Sequence, residues 1–142
     1  EVTAVTDETP GIEVDQHAII VCRYARGLSK METRWGTFTD PWTIQPQPKC
    51  GFVLVGTDGT LSSYDYADHV TLQTRARPEP HEVPADPLPK GQSNGIEHVL
   101  DCIATGASLT GPLTPAISLI GQRIVDTAAQ SARAKRTLPL LP

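Results

Sequence analysis

The residues best suited to bind a ligand lie in a proline-bounded stretch, Thr39 to Lys49. Pro41, Pro46 and Pro48 exclude it from a central strand and predict a loop, because proline cannot donate to a β ladder. The loop carries one aromatic ring, two amides and one amine, in Trp42, Gln45, Gln47 and Lys49. A flat stacking face beside several hydrogen-bonding groups suits a sugar or polyol. The alternative is that Trp42 plugs the end of a sheet.

A second group, Asp65, Asp68 and His69, falls at a predicted strand junction, where a carboxylate and an imidazole could act as an acid–base pair. Turn formation explains both aspartates as well, because Asp side chains hydrogen-bond turn backbone. The turn is the favoured interpretation, so no catalytic residue is assigned. The sequence also lacks G-x-G-x-x-G, a P-loop and a G-x-S-x-G elbow, and no cofactor-binding residue is assigned either.

The three cysteines, Cys22, Cys50 and Cys102, are widely spaced and form no C-x-x-C pair. An odd number at such spacing is neither a disulfide framework nor a zinc site. The prediction is buried free thiols in a reducing compartment, with no metal site.

Length and composition indicate one soluble domain spanning residues 1–142. A net charge of −4 gives no reason to expect nucleic acid or an acidic membrane as a partner. The longest apolar run, Ala18 to Cys22, is too short for a bilayer, and no signal peptide is recognised, so the expected location is cytoplasmic. Because the first residue is Glu1 rather than Met, a processed, renumbered or fragmentary chain is expected.

The predicted sheet is organised around a strand–turn–strand segment, Cys50 to Tyr66. Phe52 to Val55 is a short run of strand formers, and Asp58-Gly59 predicts a two-residue type I′ turn with positive φ angles. Alternating or β-forming composition predicts further strands at 1–5, 16–24, 28–38 and 68–75. Five prolines in 77–91 predict an extended crossover that joins neither helix nor ladder.

Two amphipathic helices are predicted after the crossover. Asn94 with Glu97 marks the start of the first and Gly106 its end, while Thr114-Pro115 opens the second. Their apolar stripes are Ile96, Val99, Leu100, Ile103 and then Ile117, Ile120, Ile124, Ala128. Thr137 to Leu141 is a possible short edge strand.

Strands followed by helices predict an α+β fold, with an open, mainly antiparallel sheet and two C-terminal helices covering one face. Two helices can cover only one face. Apolar residues on both faces of 18–24 and 51–56 favour burial of the other face against a partner.

Several short motifs, in order, resemble the C-terminal domain of the glucose–fructose oxidoreductase / inositol dehydrogenase (Gfo/Idh/MocA) family. The matching pieces span nearly the whole chain: Val2-Thr-Ala, Val14-Asp-Gln-His-Ala, Tyr24-Ala-Arg-Gly-Leu, Glu32-Thr-Arg-Trp35, Gly56-Thr-Asp-Gly-Thr-Leu61, Asn94-Gly-Ile-Glu-His-Val-Leu-Asp-Cys-Ile103 with Gly106, Gly111-Pro, Gln122-Arg-Ile-Val-Asp126 and Ser131.

The resemblance implies the C-terminal part of an NAD(P)-dependent oxidoreductase acting on a sugar, polyol or related compound. In that family an N-terminal Rossmann domain binds NAD or NADP, and the C-terminal sheet shapes the substrate site and commonly forms the subunit interface. The E-K-P motif with the family's catalytic lysine is absent, so this chain alone is expected to bind no cofactor and to catalyse nothing. The segment before the central strand lies near the substrate in the family, which supports a substrate role for the Trp42 loop.

The partners implied are a Rossmann domain or subunit, a second copy through the open sheet face, and a sugar or polyol. The alternatives are a stand-alone, non-catalytic partner subunit and an unrelated small-molecule binding module with an open sheet.

Overall fold

The computed structural model describes residues 1–7, 10–34 and 50–142. Its elements in chain order are β1 Val2–Asp7, β2 His17–Arg23, β3 Leu28–Arg34, β4 Gly51–Val55, β5 Gly59–Tyr64, β6 His69–Thr74, β7 His81–Pro84, α1 Gly95–Thr105, a 3-10 turn Gly111–Leu113, and α2 Pro115–Ala134. The strands form two antiparallel sheets, and the predicted α+β class is confirmed. The described residues fall into two compact units, 1–34 with 91–142, and 50–90.

The first unit contains a three-stranded sheet in the order β1-β2-β3, with α2 packed against β1. Alternation along β1 places Val2 and Ala4 on the side facing the helix, where both are buried. Cys22 pairs with Val2 across the sheet and joins the same core, together with Ala128 from α2. This small aliphatic cluster holds the helix on the sheet through apolar burial.

Two hydroxyl groups on the buried face of α2 satisfy backbone groups that reach the core. Ser131 is completely buried, and its Oγ accepts from the Ala4 amide at 3.1 Å and donates to the Arg136 carbonyl at 2.6 Å. Thr127, also completely buried, accepts from the Leu141 amide at 3.1 Å. These hydrogen bonds connect α2 both to β1 and to the segment that follows the helix.

The segment after α2 returns to the outer edge of β1. Val2 and Leu138 exchange two backbone hydrogen bonds, of 2.8 and 2.9 Å, as an antiparallel bridge. The hydroxyls of Thr3 and Thr137 meet at 2.7 Å. The edge strand expected over 137–141 therefore exists as a single bridge, which leaves less of the β1 edge open.

The predicted ends of α1 are confirmed. Asn94 Oδ1 accepts from the Glu97 amide at 2.9 Å, and the Glu97 carboxylate accepts from the Ser93 amide at 3.0 Å. This is a capping box shifted by one residue, because the carboxylate reaches Ser93 rather than the cap residue. Gly106 ends the helix with φ of 72°. Within the described ranges, no helix is long and apolar enough to cross a membrane.

The C-cap of α2 is a position where a stabilising substitution is expected. Lys135 is the C-cap in the left-handed region, φ 53° and ψ 40°, where a Cβ is unfavourable. Lys135→Gly is expected to raise the free energy of unfolding by about 0.5–1 kcal/mol. Urea denaturation followed by circular dichroism measures the change. Arg133→Gly, within the last turn of the same helix, should instead lower stability by up to about 1 kcal/mol. Equal effects of the two substitutions would contradict the cap argument.

The second unit contains a four-stranded meander in the order β4-β5-β6-β7. The prediction that residues 77–91 join no ladder is wrong, because β7 pairs with β6 from Leu72↔His81 to His69↔Pro84. Three consecutive residues there, His81 to Val83, lack proline, and β7 lies at the sheet edge, where Pro84 can end the strand without removing a needed hydrogen bond.

The hairpin between β4 and β5 also differs from its prediction. No residue from Gly56 to Gly59 has a positive φ, so the type I′ turn predicted at Asp58-Gly59 is wrong. The Gly56 amide donates to the Gly59 carbonyl at 2.9 Å, and Gly59 already pairs with Thr74 on β6. A Cβ on Gly59 would lie 2.5 Å from the Gln73 carbonyl oxygen, so this glycine is needed for the close approach of β6.

Candidate functional site

The substrate-binding residues predicted from sequence, Trp42, Gln45, Gln47 and Lys49, lie outside the described residues. Their substrate role stays a prediction. The description resumes at Cys50, immediately before β4, and Cys50 contacts an unusual turn between β5 and β6.

This turn, Tyr64 to Ala67, contains two consecutive left-handed residues that are not glycine. Asp65 has φ of 54° and Tyr66 of 57°, and the Ala67 amide donates to the Tyr64 carbonyl at 3.1 Å. Two positive φ angles in the centre of a hairpin turn are the type I′ pattern, which normally uses Asn-Gly or Asp-Gly. A bulky residue in this region costs about 1–3 kcal/mol. This turn type could not be predicted from sequence, because Asp-Tyr is not a recognised signature for it.

Cys50 fastens this turn to the start of β4. The Asp65 amide donates to the Cys50 carbonyl at 2.7 Å, and the Cys50 amide donates to Asp65 Oδ1 at 3.3 Å. Asp65 therefore serves turn structure, as the sequence favoured.

The side chains of Cys50 and Tyr66 also meet. The Cys50 thiol donates a long hydrogen bond of 3.9 Å to the Tyr66 hydroxyl, and this contact raises the pKa of Tyr66. The prediction of buried thiols holds for Cys22 and Cys102 but is wrong for Cys50, which is exposed. Its position at the end of the strand, rather than within it, accounts for the difference.

His69 lies between two carboxylates at the start of β6. Its Nδ1 is 3.1 Å from Asp68 Oδ1, and its Nε2 is 3.5 Å from Glu82 Oε1 on β7. The structure thus brings together two members of the acid–base group considered from sequence, and adds Glu82, which the sequence missed because β7 was not predicted. Asp68 is fully exposed, and His69 is one-third exposed. The group can form hydrogen bonds with a ligand that approaches from solvent.

The four-residue spacing of His98 and Cys102 on α1 is one by which a helix can present two metal ligands. The Cys102 sulfur lies 3.9 Å from each His98 ring nitrogen. A metal site needs at least a third protein ligand. In the part of the chain that the structure describes, no group of three or more His, Cys, Asp or Glu side chains could hold a metal ion.

The fold resembles that of a solved structure from Klebsiella pneumoniae described as a "putative oxidoreductase". The two chains are 13% identical with a TM-score of 0.65, and the match covers 99% of this chain and 43% of that chain. The likeness is one of fold. No protein-family model matches the chain, and no curated protein matches it. The chain thus spans less than half the length of the protein whose fold it shares.

Proposed function

We propose that this chain is the C-terminal part of an NAD(P)-dependent oxidoreductase acting on a sugar, polyol or related compound. The observation that carries the proposal is the match of 99% of the chain to 43% of a protein described as an oxidoreductase. The motifs that resemble the Gfo/Idh/MocA family support the same assignment and supply the substrate class. In this role the chain shapes the substrate site and the subunit interface.

The exposed apolar surface supports a role within a larger assembly. On β4, the consecutive residues Phe52 to Val55 are 47–78% exposed. On α1, Ile96 and Ile103 are 76% and 74% exposed. Several large apolar residues left exposed on one element favour contact with a partner. The proposed occupants are the dinucleotide-binding part of the enzyme and a second copy of this chain.

The described residues do not fit a dinucleotide. Such a site needs a glycine-rich turn between a parallel strand and a helix N-terminus. Every ladder in the described ranges is antiparallel, and neither helix follows a strand through a G-x-G-x-x-G turn. NAD or NADP is therefore assigned to a separate Rossmann part.

The test compares this chain with the protein encoded by the whole reading frame. Upstream in-frame sequence is expected to contain G-x-G-x-x-G and E-K-P, and the longer protein should bind NAD(H) or NADP(H) and oxidise a polyol or sugar. The 142-residue chain should do neither. Micromolar nucleotide binding by the short chain in calorimetry would contradict the proposal. A start codon at or near the codon for Glu1, beside a separate gene for a Rossmann subunit, would favour the stand-alone partner subunit instead.

We expect the chain to self-associate through the exposed apolar residues of β4. An interface of this kind buries on the order of 1,000 Å² or more. The chain is expected to form dimers or larger species in light scattering, with a mass that depends on concentration. Leu54→Lys, which places a charge on a side chain that is 62% exposed, should shift the species toward monomer. A monomer at high concentration that binds no dye for apolar surface would count against the proposed interface.

Trp42 is proposed to form a stacking wall of the substrate site. In the full-length enzyme, Trp42→Ala is expected to raise KM, with ~1–3 kcal/mol of transition-state binding lost and little change in Tm. Steady-state kinetics and thermal denaturation measure the two quantities. A fall in Tm of several degrees with unchanged KM would show that Trp42 plugs the sheet end.

A further inference from the structure

The start of α1 places an asparagine directly before a glycine, a pair whose backbone and side chain react with each other. Asn94 is the chain's single asparagine, Gly95 follows it, and both are exposed. In such a pair the main-chain nitrogen of the second residue attacks the side-chain amide of the first and closes a succinimide ring. Glycine hinders this attack least, because it has no Cβ and the freest backbone. Capping of the helix does not require the pair, because serine, threonine or aspartate would cap it as well.

We propose that Asn94–Gly95 is a site of spontaneous deamidation and that opening of the first turn of α1 sets its rate. The Gly95 nitrogen bonds to Asn94 Cγ and gives up its proton, and the side-chain nitrogen leaves as ammonia. Water then opens the ring. Breaking the new bond to Cγ leaves aspartate, and breaking the original bond to the main-chain carbonyl carbon leaves isoaspartate. The reaction needs no enzyme, oxidant or cofactor.

The attacking nitrogen is free of the helix ladder, whereas the side chain that it attacks is held. Gly95 is the first residue of α1, and the amide groups of the first helical turn have no acceptor within the helix. Asn94 Oδ1 accepts from the Glu97 amide at 2.9 Å, and the Glu97 carboxylate accepts from the Ser93 amide at 3.0 Å. The capping box therefore keeps Asn94 Cγ from moving toward the Gly95 nitrogen.

The backbone at Asn94 also has to rotate before the ring can close. Its φ of −155° and ψ of 169° are those of an extended residue. The ring contains Cγ, Cβ, Cα, the main-chain carbonyl carbon and the Gly95 nitrogen, so closure requires that nitrogen to turn toward Cβ. The Asn94 carbonyl accepts from the His98 amide at 3.0 Å, and this bond is lost when ψ rotates. Ring closure therefore competes with the first turn of the helix.

Little packing resists the opening of this turn. All 11 residues of α1 lie in the described part of the chain, and Cys102 is the one that is buried. Ile96, Leu100 and Ile103 are 76%, 60% and 74% exposed. A helix of this length is marginal without tertiary packing, and Gly95 lowers its helix propensity further. Because helix ends open at a small fraction of the free energy of global unfolding, the reactive form is reached while both sheets stay folded.

The two products change α1 in opposite directions. Aspartate at position 94 keeps the acceptor for the Glu97 amide and adds negative charge at the helix N-terminus, which favours the helix. Isoaspartate adds a carbon to the main chain between position 94 and Gly95, so the capping geometry is lost. Deamidation thus divides the protein into one form with a stronger α1 and one with a weaker α1.

The test follows position 94 during incubation of the folded 142-residue chain in mildly alkaline buffer. Peptide mapping by mass spectrometry, with chromatographic separation of aspartate from isoaspartate, should find both products there. Gly95→Ala should slow their formation severalfold, and its Cβ would meet only side-chain carbons of Leu113 at 3.4 Å, so the fold is retained. Asn94→Ser, which keeps a cap, should form neither product. An intact amide in the folded chain, over a time that converts the chain in urea, would overturn the proposal.

Two substitutions at position 97 test the control by helix opening. Glu97→Ala removes the acceptor for the Ser93 amide and should speed deamidation severalfold. Glu97→Gln is the matched control, because its side-chain oxygen still accepts that bond, and its rate should stay close to that of the wild type. Equal rates in the two variants would overturn the role of the first turn. Loss of hydrogen-exchange protection in β1 and β2 of Glu97→Ala would also overturn it, because the proposed opening is confined to α1.

Discussion

Ser131→Ala is expected to lower the free energy of unfolding by about 2–4 kcal/mol. The Ser131 hydroxyl is fully buried and joins two backbone groups, the Ala4 amide and the Arg136 carbonyl. Alanine leaves the buried Ala4 amide without a partner, which costs about 1–3 kcal/mol, and loss of the part-buried hydrogen bond to the exposed Arg136 adds about 0.5–1.5 kcal/mol. The packing change is small, because only one oxygen is removed.

Urea denaturation measures the loss, and hydrogen exchange locates it. The Ala4 amide should exchange much faster in Ser131→Ala, because its acceptor is gone. Ser118→Ala is the control on the same helix, where an exposed hydroxyl makes a single contact of 3.4 Å to the Pro112 carbonyl. Its effect should stay within about 0.5 kcal/mol. Equal losses in the two variants would contradict the role given to Ser131.

Gly59→Ala is expected to destabilise the four-stranded sheet by roughly 2–4 kcal/mol, within the range for overpacking against structure that cannot move aside. The added Cβ would lie 2.5 Å from the Gln73 carbonyl oxygen and 3.3 Å from Thr74 Cα. Both are backbone atoms of β6, so β5 and β6 must separate at this pair. The register Gly59↔Thr74 and the adjoining Thr60↔Gln73 should weaken together.

Gly56→Ala tests whether this effect belongs to the close approach or to glycine in the hairpin generally. The nearest atom to a Cβ there is the Gly59 carbonyl oxygen at 3.6 Å, an ordinary contact, and φ is not positive. Its stability should therefore match the wild type or slightly exceed it. Thermal denaturation compares the two. A large loss in Gly56→Ala would show that the hairpin conformation, and not the approach of β6, requires glycine.

Local sequence patterns predicted most of the strands and both helices, because the signals used for these elements come from residues close together in the sequence. Asn94, Glu97 and Gly106 sit at the predicted ends of α1, since capping is satisfied within a few residues. The core of α2 was predicted less well. Ile117 and Ile120 were placed on its apolar stripe but are each 49% exposed, whereas Thr127 and Ser131 are completely buried. Hydrophobicity could not identify those two, because their burial depends on backbone groups from distant segments.

The same limit applies to the candidate site. Asp68 and His69 were singled out from sequence, and they are in contact. Glu82 comes close to His69 only because β7 pairs with β6. The high proline content of residues 77–91 had argued against a strand there. Tyr66 was missed because side-chain identity alone does not reveal a positive φ in a residue that normally avoids it.

The bridge between Val2 and Leu138 has a consequence for synthesis of the chain. The two residues are 136 positions apart, so the first unit combines segments that are far apart in sequence. Until residues up to 138 have left the ribosome, part of the edge of β1 and its helix-facing side stay uncovered. The strands of the second unit pair with neighbours in sequence and can form earlier, while translation continues. Slow elongation over the codons for residues 91–138 would prolong this exposure of β1 and favour capture by chaperones or aggregation.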